Sequence, residues 1–310
     1  KGGAEGFAKA ASLSRDPDVA EEATRLALTV KDWPLAHTSL ARWHALAPED
    51  PGGIQARAWI ALGDGRAGEA FTDLDALASR GDLQGWRLIS QVLLGADDKA
   101  AAARLLDRVA TPAHLTENEA TWIAVSQLAY KLRDKTSARR IADGAVSRFH
   151  GGESYAWSAR LALDRGDKPT ARALYGEALK RDPKSPRLRG GYAALLADSG
   201  DNAAAAHVLS QGPQDDTTYA ARAAYAARAD DKAALGALYH ELDDDKTARD
   251  GNRLFLLGQL AELVDKREDA LGWYREIGED DEHWFDAQTR QAIAKAIQEG
   301  AAAYLNRQYK

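Results

Sequence analysis

Apolar residues along this chain return every three or four positions and nowhere alternate strictly with polar ones, the pattern of amphipathic helices rather than strands. The stretch Arg165 to Pro183, RGDKPTARALYGEALKRDP, shows the unit most plainly. Gly166-Asp167 ends one helix and opens the next, and Ala171, Tyr175, Ala178 and Leu179 then share one helical face. Asp182-Pro183 stops the helix, because proline removes a donor and biases its predecessor away from the α region. A small residue shortly after each turn recurs as Ala36, Ala70, Ala102, Ala138, Ala171, Ala205, Ala234 and Ala270, at a mean spacing of about 33 residues. Alanine there lets two helix backbones cross closely. A bulky residue fills the groove four positions on, as Leu40, Leu74, Leu106, Tyr175, Leu209, Leu238 and Tyr274; Ala142 stands there in the fourth unit.

Repeated hairpins that contact only their neighbours predict an all-α chain, a right-handed α-α superhelix (solenoid) of about eight helix-turn-helix repeats. Residues 1–310 then form one solenoid: a partial repeat over 1–17, hairpins over 18–277 and capping helices over 278–310. Thr116-Glu-Asn-Glu119 reads as a capping box and Ser154 as a helix N-cap. Asp243 to Gly251 reads as a loop. Trp33, Trp43 and Trp273 are expected to pack between units, and Trp86, Trp122 and Tyr155 within hairpins. Trp59, one residue past the small Ala58, is expected on the concave side.

A net charge of −6 argues against a nucleic-acid footprint, which needs a basic face. No apolar run approaches the length of a membrane span. Without cysteine there is no disulfide framework, thiolate metal site or cysteine nucleophile. A chain of 310 residues that has no methionine and begins at Lys1 is expected to be a fragment or a processed form. Any signal peptide or lipid-attachment cysteine would then lie upstream.

Several motifs suggest chemistry and lack its context. Gly63 to Gly68 matches G-x-G-x-x-G, but a dinucleotide site needs a preceding strand, and helices flank it. His37 and His44 are seven apart and could share a helical face, but no carboxylate or third histidine falls at ligand spacing. Glu279 to His283 is acidic but suits the start of a helix, where negative charge meets the positive end of the dipole. Gly152-Glu-Ser154 resembles half of a nucleophile elbow without the closing glycine or the strand. The expectation is a non-enzyme with no catalytic residue, no cofactor and no metal.

Function is therefore expected on the inner wall built from first helices. That wall should carry Arg25, Gln55, Trp59, Arg87, Gln91, Gln127, Tyr130, Arg160 and Gln259. Arginine, glutamine and aromatic residues on a rigid surface suit an extended peptide, whose backbone needs donors and acceptors together.

The period and the hairpin pattern make most of the chain resemble the tetratricopeptide repeat superfamily. A narrower resemblance rests on AHTSLARWHALAPEDP, GEAFTDLDAL and LFLLGQLAELVDKREDALGWYREI followed by DEHWFDAQTRQAI. These blocks are similar to proteobacterial periplasmic tetratricopeptide lipoproteins that bind a carboxyl-terminal processing protease and present substrates to it. The resemblance implies an outer-membrane-anchored periplasmic adaptor without activity of its own. A scaffold in lipopolysaccharide, pilus or outer-membrane protein assembly is the alternative function, and a cytoplasmic location the alternative to the periplasm.

Overall fold

The computed structural model of the chain describes residues 2–115, 117–245 and 250–280, and among these there are seventeen helices and no strand. After α1 (Gly2–Leu13) come eight hairpins. Their first helices are α2 (Pro17–Thr29), α4 (Pro51–Gly63), α6 (Leu83–Gly95), α8 (Glu119–Lys131), α10 (Gly152–Asp164), α12 (Pro186–Asp198), α14 (Asp216–Arg228) and α16 (Gly251–Leu263). Their second helices are α3 (Trp33–Leu46), α5 (Ala67–Ser79), α7 (Lys99–Val109), α9 (Lys135–Phe149), α11 (Lys168–Arg181), α13 (Asn202–Ser210), α15 (Lys232–Asp244) and α17 (Arg267–Asp280).

Every first helix is 13 residues long. Second helices range from 9 residues in α13 to 15 in α9. The constancy follows from how both ends are made. An Asx or serine side chain caps the start of seven of the eight: Asp16, Asp50, Asp82, Asn118, Ser185, Asp215 and Asp250 each accept a bond from the first turn. At the far end a three-residue turn leads into the second helix. Its middle residue is left-handed in seven hairpins: Gly65, Gly166 and Gly200 freely, and Lys31, Arg133, Asp230 and Asp265 at φ of 52 to 67°. That conformation costs a non-glycine residue about 1 kcal/mol. It is repaid by the closing bond of a Schellman motif, such as Asp134 N–H to Ala129 O at 3.0 Å and Asp231 N–H to Ala226 O at 3.0 Å. The donor of that bond is also the N-cap of the next helix. Asp32, Asp134, Asp167, Asp201 and Asp231 all cap second helices in this way, and Asp98 caps α7 without the closing bond.

The small residue of the hairpin crossing lies four positions after these caps. Ala36, Ala70, Ala102, Ala138, Ala171, Ala205 and Ala270 are all fully buried there. The seventh hairpin corrects the expected register by one. Four residues after Asp231 stands Leu235, buried, while Ala234 is only half-buried, and the bulky residue four further on is Tyr239 rather than Leu238.

The capping box expected at 116–119 also resolves differently. Asn118 caps α8, and the Glu119 carboxylate reaches the next hairpin, where its Oε1 accepts from Ser154 N–H at 2.8 Å and Ser154 Oγ–H at 2.6 Å. Ser154 is thus not an N-cap but a buried residue inside the first turn of α10, capped from outside. Gly151 leaves room for this, since a Cβ there would meet the Glu119 carboxylate at 2.1 Å. The loop expected from Asp243 begins later, because Asp243 and Asp244 complete α15. The G-x-G-x-x-G run is the turn between α4 and α5. Thr116, His283 and, beyond the end of α17, the segment expected to cap the array lie outside the described residues.

The helices form two compact units, residues 1–161 and 162–310. In the first, one apolar core gathers α1 to α4 around Ala36, Leu40 and Trp43, and another runs from Ala58 to Leu161 through Leu74, Ile89, Leu106 and Ile141. In the second, cores form around Leu196 and Leu209 and around Leu238, Leu257 and Tyr274. The tryptophans sort largely as expected. Trp43 packs on Gly52 and Gly53, Trp33 on Gly63, and Trp86 and Trp122 are buried in the core of the first unit.

Candidate functional site

Because every first helix has the same length, positions can be counted from its N-cap. In α6 and α8 the positions four, seven and eleven after the cap point inward: Trp86, Ile89 and Leu93, and Trp122, Val125 and Ala129, are all buried. Positions five, nine and twelve fall at spacings of four and three on another face. All nine residues expected on the wall occupy these three positions.

In the first unit the face is rich in chemistry. Gln55 and Gln91, on α4 and α6, meet directly: Gln55 Nε2 donates to Gln91 Oε1 at 2.6 Å. Arg87 is exposed one turn before Gln91. On α8, Gln127 lines a recess of about 230 Å³ with Glu119, Ala120, Ile123, Ala124 and Glu153. Tyr130 is half-buried, its ring edge-on to Trp157 with centroids 5.9 Å apart. Arg160 is exposed on α10. Arg25 projects from α2 and pairs with Glu22 at 2.5 Å. Beside it on α2, the Glu21 carboxyl is pushed up by burial and by the nearby carboxylates of Asp50 and Asp18.

Trp59 does more than face outward. Its ring lies on Gly95 of α6, where a Cβ would come within 3.0 Å of it. It also walls a larger recess of about 630 Å³ with Trp33, Leu62, Gly63, Asp64, Gly65, Ala67, Gly95, Ala96, Asp97, Asp98 and Ala101. From the sequence Trp33 is expected only to pack between units, and the acidic turn residues Asp64, Asp97 and Asp98 carry no expectation of a site. Each is an ordinary hairpin residue until two neighbouring turns come together.

In the second unit the same positions are nearly bare on α12 and α14, whereas α16 carries Phe255, Gln259 and Glu262 there. Gly190 and Ala194 stand there on α12, and Ala220 and Ala224 on α14, all exposed. Gln259 is the sole predicted wall residue of this unit and is half-buried on α16. Three residues on lies Glu262, whose carboxyl oxygens are buried without a hydrogen-bond partner; burial pushes it up to about 7, with Arg267 acting in the opposite sense. Another buried group, Arg189, takes the inward position on α12 where α6 and α8 carry tryptophan. Its Nη2 donates to Lys184 O at 3.0 Å, and Gly212 leaves space for the guanidinium.

His37 and His44 diverge to different partners, Asp64 at 3.1 Å and Arg57 at 3.3 Å. Among the described residues no three His, Cys, Asp or Glu side chains gather as a metal site.

Among the described residues each unit is all-α and built of helix-turn-helix hairpins, and proteins with tetratricopeptide hairpins are in general scaffolds that bind other proteins or peptides. Residues 162–230 match the family described as Tetratricopeptide repeat. No curated protein matches the chain. Among solved structures it is similar to a tetratricopeptide repeat protein of Parabacteroides merdae, at 14% identity and a TM-score of 0.33, covering 91% of this chain and 98% of that one. A thermophilic TPR protein of Thermus thermophilus is 21% identical with a TM-score of 0.32, over 59% of this chain and all of its own. The pilF protein of Pseudomonas aeruginosa is 12% identical with a TM-score of 0.31, over 89% and 96%.

Proposed function

We propose that the chain is a non-catalytic adaptor that binds an extended protein segment along the first-helix face of residues 1–161. The observation that carries this is the Gln55–Gln91 bridge, which makes the exposed polar positions of two successive helices one surface with Trp59 and Arg87 beside it. Amide and guanidinium groups there supply the donors and acceptors an extended backbone requires. Arg25, Gln127, Tyr130 and Arg160 extend the surface to both sides, and Gln259 is the counterpart in the second unit. The resemblance of the sequence blocks near both ends to protease-adaptor lipoproteins supports a narrower reading. In it, the partner is a carboxyl-terminal processing protease or its substrate, and the location is the periplasm with an outer-membrane anchor upstream.

The test is affinity capture from a cell-envelope extract of the source organism, with mass spectrometry of what is retained. Recovery of a processing protease by the parent chain, lost with Arg87→Glu/Gln91→Ala, is the expected result. Recovery of envelope-assembly proteins without a protease favours the assembly scaffold. Capture unchanged by the double variant removes the first-helix face from the account.

A further inference from the structure

We infer that the recess between the turns of the second and third hairpins is a second docking site, which seats an arginine or lysine side chain of a partner protein between two indole rings and an acidic rim. The inference rests on the reading of the chain as a protein binder, but not on the first-helix face being where that binding occurs.

The recess is built rather than incidental. Gly63 and Gly95 are the last residues of successive first helices, and each carries an indole ring at contact distance. A Cβ on Gly63 would stand 3.3 Å from Trp33, and one on Gly95 3.0 Å from Trp59. Two glycines thus let two tryptophans lie against helix ends, and with Leu62 they give the recess an apolar lining. Its volume, about 630 Å³, is that of a ligand pocket rather than a packing defect.

The polar lining has one sign. Asp64, Asp97 and Asp98 line the recess, and no lysine, arginine or histidine does. Asp64 is already engaged, by Arg66 at 2.7 Å and His37 at 3.1 Å. One oxygen of Asp98 caps α7 by accepting from Ala101 N–H at 2.9 Å. Asp97 is exposed and forms no ion pair among the described residues. Uncompensated negative charge over aromatic faces is a site for a cation with a hydrophobic stem. The stem covers the rings, the head takes a cation–π contact, and the carboxylates receive charge-assisted hydrogen bonds. An acidic or neutral segment would leave the carboxylates unanswered.

The experiment is selection of a random displayed peptide library on the full chain, with the Asp97→Asn/Asp98→Asn variant as counter-selection. Asparagine retains the helix cap, so the variant loses charge and keeps its fold. The expected pool is enriched in arginine or lysine flanked by apolar residues and shifts the indole N–H resonances of Trp33 and Trp59, assigned through Trp→Phe variants. Binding should fall at least about tenfold in the double variant, in a citrulline-for-arginine peptide and progressively with added salt. A pool without basic enrichment, one that binds the variant equally, or one that moves neither indole overturns the inference. Arg87→Glu/Gln91→Ala separates the two sites: peptides of the first-helix face are lost on it, and peptides of the recess are retained.

Discussion

The tripeptide Ala-Asp-Asp closes two hairpins of this chain in two different ways. At 229–231, between α14 and α15, Ala229 is helical, Asp230 is left-handed at φ 52°, and Asp231 N–H returns to Ala226 O. At 96–98, between α6 and α7, Ala96 is extended at ψ 137°, Asp97 is not left-handed, and the Lys99 ammonium rather than a backbone amide reaches the end of α6, at Leu94 O. The neighbours differ where the tripeptides do not. Before Ala96 stands Gly95, the poorest helix former except proline, with the Trp59 ring laid on it. Before Ala229 stands Arg228, and the counterpart of Trp59 on the preceding first helix is Ala194. Ala96 turns into the apolar core of its unit, whereas Ala229 stays half-exposed. A ring laid on a terminal glycine does not by itself decide the turn, since Gly63 carries Trp33 in the same way and its turn closes through left-handed Gly65 with Arg66 N–H to Ala61 O. The two tripeptides show that the same three residues take either form.

The strongest way to break the contrast is Trp59→Ala. It should cost about 2–3 kcal/mol in chemical denaturation, less than the roughly 3–5 kcal/mol of a fully buried large aromatic because the ring is only partly buried. Ala194→Gly, at the counterpart, should cost about 1 kcal/mol or less, by helix propensity alone. Next come paired glycine substitutions within the tripeptide, whose signs should be opposite. Asp230→Gly relieves a left-handed residue and should raise stability by about 1 kcal/mol, whereas Asp97→Gly only adds unfolded-state entropy and should lower it by about 0.5–1 kcal/mol. Equal signs in thermal melts would mean that the two turns share a conformation in solution. The caps serve as the control. Asp98 and Asp231 each accept from the third residue on at 2.9 Å, so Asp98→Ala and Asp231→Ala should each cost about 1 kcal/mol despite the differing turns.

The smallest effect belongs to the turn after α16, which is of the Asp230 kind and follows Glu262 closely. With its carboxyl raised from 4.5 to about 7, Glu262 contributes fully to stability below pH 4.5 and loses that contribution as pH rises through 7. Glu262→Gln should leave the melting temperature unchanged at pH 4 and raise it slightly at pH 8. An identical pH profile for the two proteins would remove Glu262 from the account.

What could be read in the sequence was what repeats locally. The apolar spacing, the crossing alanines and the turn punctuation carry the all-α hairpin array, because each depends on residues within one helix or one turn. Ala234 is one residue out of phase because three apolar residues in a row, Ala233-Ala234-Leu235, leave the register undetermined until it is counted from Asp231. Glu119 could not be seen to cap α10, since its partner is 35 residues away and its own helix start offered a local use for it. The nine wall residues were placed on one face by spacing alone. That Gln55 would meet Gln91, and that Trp59 would cover Gly95, depends on how one hairpin lies on the next.

First helices and turns of equal length also bear on how such a chain can change. From Asp50 to Asp82 is 32 residues and from Asp82 to Asn118 is 36, and the difference falls wholly in the second helix and the linker after it. The chain thus has a protected reading frame along one wall and a free margin along the other. A duplication or deletion running from cap to cap adds or removes one complete set of face positions and leaves every remaining set in phase. Inheritance by whole hairpins can then lengthen or shorten the first-helix face without rewriting it.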